Sequence, residues 1–276
     1  MARRDFPVLD PVDFAATRDA LHAYSRILGD WAKASRRRRK HWWHASLRPS
    51  LAGLTTGVIY GDPDFEMELN LRESALTVRT GAGERLCEEL RGQAAAELAL
   101  RVRRFLAAAG APDGPPNDDE AVFDAYSAVQ ANGMARALSA VAAAFDAFRA
   151  GIREETSAVQ FWPHHFDLAM LWLPGDTIPG RDPDDEEYAD KQMNFGFTFG
   201  DDGIPEPYFY VTAYPLPDAF PPEDLPAGAE RYTEGFTGAV LRYRRLGREP
   251  DPDACLQALW NGMLADGRRH LAAQSG

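Results

Sequence analysis

The chain has 276 residues, 45% of them apolar and 26% charged, with a formal net charge of −12 at pH 7. That composition fits a packed globular protein of one large or two small domains and excludes a disordered chain. The acidic balance argues against a nucleic-acid partner, whose phosphates would be repelled by most of this surface.

No apolar run approaches the roughly 20 residues of a membrane helix. Residues 1–10 carry Arg3 and Arg4 without the apolar stretch of a secretory signal. Cys87 and Cys255 read as reduced thiols. The expectation is a soluble, cytoplasmic protein with no membrane partner.

In chain order, a helix is predicted over 12–33, capped by Asp10 or Asp13, with Phe14, Leu21, Tyr24, Leu28 and Trp31 on one face. The basic run 36–40 is a solvated helix end in the simplest view. Its alternative is a site for phosphate, RNA or an acidic partner. Strand-like segments follow at 41–48, 54–60, 65–71, 74–80 and 86–90. In 65–71, Phe65, Met67, Leu69 and Leu71 alternate with polar residues, as on a strand with one wet face. A helix over 93–109 ends at Gly110.

The stretch APDGPPNDD (111–119) is the clearest boundary. A second long helix runs to about residue 153, with Leu138, Val141, Phe145 and Phe148 on its buried face. Strands are predicted at 159–173, 193–199, 207–214 and 235–243. Asp251 and Pro252 start a last helix with Cys255, Leu259, Met263 and Leu264 inward. The fold expected is α+β. It has two helix–strands–helix halves, 1–112 and 120–276, joined by 113–119, with antiparallel sheet or sheets against long helices. HWWH (41–44) and WPHH (162–165) open the first strand of each half, which reads as an ancient duplication or as convergence on a common layout. Two irregular segments, 174–190 and 215–229, interrupt the second half.

The stretch FWPHHFDLAMLWL (161–173), read as one strand, puts Trp162, His164 and Phe166 on one face and His165 and Asp167 on the other. His165 with Asp167 is then a candidate general base and its orienter, or a buried polar pair that satisfies itself. His164, among apolar neighbours, is a core histidine or a ligand contact. In PYFYVTAY (207–214), Tyr208, Tyr210, Thr212 and Tyr214 share a face that suits a pocket wall or a protein interface. Asn194, Asp201, Glu206 and Glu234 lie beside these strands as further polar groups. Trp162 and His44, from the two Trp/His clusters, complete the candidate ligand-binding set. Gly196 would let a ligand or backbone approach closely, and 174–190 would serve as a lid. His41 and His44, three apart, are a weak metal signal in a strand. No Walker A loop, Rossmann glycine pattern, GxSxG elbow, HExxH or paired CxxC occurs.

The stretches HWWHASLRPSLAGLTTGVI, SAVQFWPHHFDLAMLW, MNFGFTFGDDGIPEPYFYVTAYP and TEGFTGAVL, in that order, resemble the successive motifs of a bacterial family known only as a domain of unknown function. The resemblance runs from about Leu21 to the last helix. It implies a bacterial, cytoplasmic, single-chain protein. It assigns no activity, so no catalytic residue is carried over. It draws attention to His164, His165, Asp167, Asn194, Gly196, Asp201, Tyr208 and Tyr210. The more basic 36–40 run and the Ala213-Tyr214-Pro215 ending depart from the family pattern.

The leading functional expectation is a small-molecule-binding protein, or an enzyme without a standard motif, with a His/Asp/Tyr-lined pocket in the second half. The rivals are a non-catalytic interaction module using the aromatic surface and a metal-dependent hydrolase using His and acidic loop residues. No cofactor, metal ligand set or oligomeric state is legible.

Overall fold

Asp10 starts the first helix: its Oδ1 accepts the Val12 N–H at 3.0 Å, and Pro11 occupies the first turn, where no N–H is needed. This computed structural model describes residues 4, 6–185, 187–226 and 228–271. The expectation for the N-terminus rests partly on residues 1–3 and 5, outside the described residues. The chain forms two units, each assembled from separate stretches. The first is Leu9–Ser139 with Phe161–Phe166. The second is Met1–Val8 and Ala140–Gln160 with Asp167–Gly276. Residues 113–119, expected to link two halves, lie inside the first unit.

In the first unit, α1 (Pro11–Ser35) buries Phe14, Leu21, Tyr24, Leu28 and Trp31, as the spacing predicts, together with Ile27. Fully burying such side chains stabilises by roughly 1.5–3 kcal/mol each. The antiparallel sheet is a meander of β1 (Arg48–Pro49), β2 (Gly53–Thr55), β3 (Phe65–Asn70), β4 (Ala75–Thr80) and β5 (Arg85–Glu89). On β3, Phe65, Met67 and Leu69 are buried and Glu66 and Glu68 are not, so the alternation reads true. α2 (Ala95–Ala108) packs against α1 and ends at Gly110, φ 100°, a conformation glycine adopts without strain. Trp31 meets Phe65 edge-on at 5.5 Å, and the Tyr24 hydroxyl donates to the Gln93 carbonyl at 2.7 Å. α3 (Ala128–Ala150) gives residues 128–139 to this unit and 140–150 to the other.

The strand expected at 41–48 is absent. Lys40–Ala45 forms a 3-10 helix in which His41 and Trp42 both take φ 54°. Left-handed φ turns the chain out of extension, and the rings pair two apart, His41 with Trp43 and Trp42 with His44. Gly57, φ 63°, likewise ends β2 early.

The second unit has β6 (Glu155–Thr156), β8 (Asp167–Leu173), β9 (Gln192–Thr198), β10 (Tyr208–Tyr214), β11 (Glu230–Tyr232) and β12 (Gly238–Arg242), with β7 (Gln160–Trp162) between β6 and β8 in sequence. The antiparallel strand order is β11-β12-β10-β9-β8-β6. A short helix, α4 (Tyr243–Leu246), follows β12, and α5 (Pro252–Leu271) ends the fold. Asp251 Oδ1 accepts the Ala254 N–H at 3.0 Å, so the Asp-Pro start is as expected. One sheet face is wholly apolar: Leu168, Met170, Trp172, Met193, Phe195, Phe197, Phe209, Val211, Ala239 and Leu241 are nearly inaccessible. It packs on α3 and α5, with Phe148 against Phe195 at 5.0 Å and Phe209 against Trp260 at 6.0 Å.

The α+β class is therefore as expected, but the strand order does not repeat. The first sheet adds strands consecutively, whereas β12 enters between β10 and β11. The long 215–229 segment carries the chain past that slot to the edge, and β12 then fills it as a hairpin return. No helix among the described residues is long and apolar enough to cross a membrane.

Candidate functional site

The other face of the second sheet is polar. Antiparallel register sets Asp167 opposite Thr198 and Thr198 opposite Tyr208. One step on, Ala169, Gly196 and Tyr210 align, then Leu171, Asn194 and Thr212. Period two places all of these on one side. Gly196 has a specific purpose here: a Cβ would collide with Cζ, Cε1 and Oη of Tyr210. The expected close approach is real, but the approaching group is the protein's own tyrosine ring.

Tyr210 is the hub of the face. Its hydroxyl donates to Asp167 Oδ2 and receives a long 3.5 Å bond from Asn194 Nδ2. Burial, then the Asp167 charge and hydrogen bond, hold the Tyr210 phenol well above the ordinary tyrosine range. Tyr208 donates to Asp201 Oδ2, and burial followed by that bond pushes its phenol up as well. Both tyrosines are protonated donors at neutral pH. Phe236 packs at 6.1 Å from Tyr210 and 4.8 Å from Tyr232, over Ile204 and Val240.

Asp201 and Glu206 are engaged structurally. Asp201 Oδ1 accepts the N–H groups of Gly203 and Ile204, both at 2.8 Å. Glu206 lies 3.1 Å from Arg242 Nη1 and 3.0 Å from Arg244 Nε. Glu234 is exposed. The buried amide oxygens Gln192 Oε1 and Asn194 Oδ1, two residues apart on β9, accept no hydrogen bond among the described residues. Asn194 was legible in the sequence, and Gln192 was missed although period two puts it on the same face. Phe236 and Tyr232 carried no local signal.

Described residues of the 174–190 segment meet one end of this face, at the register pair Gln192 and Tyr214. Thr177 bridges Asp190, Arg181 Nη2 donates to the Tyr214 hydroxyl at 3.3 Å, Tyr188 packs on Tyr214 at 4.9 Å, and Gln192 Nε2 donates to the Glu187 carbonyl at 2.9 Å. Glu186, within the expected acidic run, lies outside the described residues.

The other candidates, Trp162, His164, His165 and His44, belong to the first unit. The stretch 161–173 is not one strand. Residues 163–166 form a turn between β7 and β8, with the His165 N–H donating to the Trp162 carbonyl at 3.2 Å and Phe166 at φ 54°. Pro163 has no N–H for a ladder, and left-handed Phe166 reverses the chain. Alternation therefore does not relate His165 to Asp167. His165 is exposed in the turn, whereas Asp167 is buried at the start of β8 and receives the Tyr210 hydroxyl.

His164 lies with Nε2 3.6 Å from Asp30 Oδ1 of α1. His164 is exposed in the turn, not a core histidine; its partial burial lowers its pKa, Asp30 opposes this, and Lys33, Arg26 and His165 add to the lowering. His44 accepts the Arg39 N–H on Nδ1 at 3.2 Å and stacks on Trp42, and burial lowers its pKa too. Leu47 and Phe161 exchange backbone hydrogen bonds of 2.8 and 2.9 Å, which brings the two Trp/His motifs into one unit. Trp162 is half-buried beside that bridge. Among the described residues no three His, Cys, Asp or Glu side chains converge as a metal ion requires.

Fold and site together define an α+β protein with two polar clusters, one in each unit. A family model covering residues 6–267 matches, and the chain belongs to that family of unknown function, DUF5996. No curated protein and no solved structure shows a significant match.

Proposed function

We propose that this protein binds a small molecule on the polar face of the second sheet, and that the ligand presents hydrogen-bond donors such as amine, amide or hydroxyl groups. The observation that carries this is the pair of buried amide oxygens, Gln192 Oε1 and Asn194 Oδ1, which accept no hydrogen bond among the described residues. Each unmade bond costs about 1–3 kcal/mol, which a ligand donor would offset. Asp167 adds a carboxylate suited to a cationic or donor group, and Tyr210, Tyr232 and Phe236 supply flat walls. The 174–190 segment is the lid, because Tyr188 and Glu187 sit over Tyr214 and Gln192.

Binding is favoured over catalysis at this face. The expected base, His165, is in an exposed turn, and the tyrosines hold their protons. A cytoplasmic setting goes with the proposal, supported by the two cysteines, Cys87 exposed and Cys255 half-buried, neither of which is in a disulfide.

The test is a thermal-shift screen of metabolites grouped as amines, amides and polyols, and simple acids, with calorimetry on hits. Donor-bearing compounds should raise Tm. Asn194→Leu should abolish that shift while leaving the ligand-free Tm equal or higher, since it removes an unsatisfied buried group. A ligand-free Asn194→Leu protein that melts several degrees lower, with no compound shifting the native chain, would make Asn194 structural and sink the proposal.

A further inference from the structure

The first unit holds His22, His41, His44, His164 and His165, leaving only His270 of the chain's 6 histidines elsewhere. The helical spacing of α1 sets His22, Arg26, Asp30 and Lys33 in one stripe. The 163–166 turn lies along it. His22 stacks on Phe166 at 5.1 Å, and its Nε2 is 3.3 Å from the His164 carbonyl. Gly29 seats Pro163 so closely that a Cβ there would collide with the proline ring. His164 Nε2 thereby comes to 3.6 Å from Asp30 Oδ1. Further along, the Lys33 ammonium sits 5.0 Å from the centroid of Trp42, the ring stacked on His44.

Three features single out this stripe. His41, Trp42 and Phe166 are three of the four non-glycine residues with left-handed φ among the described residues, and such strain concentrates at functional sites. Arg26 and Lys33 flank His164 electrostatically, yet neither forms an ion pair among the described residues. In a chain of net charge −12, Arg26, Lys33, Arg36 and Arg38 gather around two histidines, with Asp30 as the acidic group bearing on His164. A local positive field in an acidic protein attracts anions.

We propose that this stripe binds the oxyanion of a small phosphorylated molecule, held by Arg26 and Lys33, with His164 as a hydrogen-bonding partner oriented by Asp30. Nε2–H directed toward Asp30 leaves Nδ1 as acceptor, so His164 can take the proton of a bound phosphate monoanion and bind it as the dianion. The site stands on the first unit alone and is independent of the sheet-face ligand.

The test is NMR of the histidine ring signals in the full chain, titrated with sodium phosphate against sodium chloride at constant ionic strength. His164 should shift saturably, and its titration midpoint should rise, because an added anion favours the charged ring against Arg26, Lys33 and His165. His270 should not move. Arg26→Ala with Lys33→Ala, checked for native circular dichroism, should weaken binding by about tenfold or more. Asp30→Asn should lower the His164 midpoint even without phosphate. Equal shifts of all histidines, no saturation, or unchanged affinity in the double variant would overturn the proposal. So would binding of an RNA oligonucleotide at this stripe with no response to phosphate.

Discussion

The ring of Tyr210 lies across the bare backbone of Gly196 on the neighbouring strand, and its hydroxyl ends on the Asp167 carboxylate one strand further. Three strands are thus tied together on their polar side by one side chain. Gly196→Ala should cost about 1–3 kcal/mol, because the new Cβ must displace the ring. Tyr210→Ala should cost a similar amount by exposing the network. The double variant should lose less than the sum, by about 0.5–3 kcal/mol of coupling, in urea unfolding. Strict additivity would mean that the ring and the glycine do not depend on each other.

Tyr24, Tyr208 and Tyr210 hold their protons well above the ordinary tyrosine value, chiefly through burial. The unfolded chain ionises these phenols near pH ~10, whereas the folded chain does not. Their contribution to stability is complete below that pH and declines as pH rises toward the folded values. Ultraviolet titration of the folded protein should leave at least these three of the nine tyrosines protonated at about pH 11, with the missing signal appearing only on unfolding. Full ionisation at that pH in a protein still folded by circular dichroism would contradict it.

Acid should act through the histidines. Burial lowers the pKa of His22, His44 and His164. As pH falls below the ordinary value of about 6.5, the unfolded chain takes up these protons before the folded one. Stability is therefore full above that pH and is lost as pH falls toward the folded values. Tm measured at pH 7.5 and 5.5 should drop, and His22→Gln should reduce the drop. A Tm unchanged or higher at the lower pH would refute it.

Glu206 joins β12 and α4 through Arg242 and Arg244. Its carboxylate is largely shielded, while Arg244 is mostly exposed. Glu206→Gln should destabilise by about 1 kcal/mol at low salt, with the difference narrowing in 1 M sodium chloride as screening takes over. A difference that is insensitive to salt would assign Glu206 a packing role instead.

Local chemistry determined much of this protein. Asp10 with Pro11, Gly110, and Asp251 with Pro252 mark helix ends by bonds to residues within a turn, and the alternation of Phe65, Met67 and Leu69 marks a strand by neighbours two apart. The Tyr208, Tyr210 and Thr212 face was legible for the same reason, as was membership of an uncharacterised family. Only the tertiary structure decided what those residues meet. FWPHHFDLAMLWL reads as one strand until Gly29, far off in sequence, seats Pro163 and Asp30 comes beside His164. Asp167 finds Tyr210 rather than His165 because strand register, set by the packed face of Phe195, Phe197 and Phe209, carries the polar face with it. Periodicity gives each side chain a face. Its partner is chosen by which distant face the apolar core brings within hydrogen-bond reach.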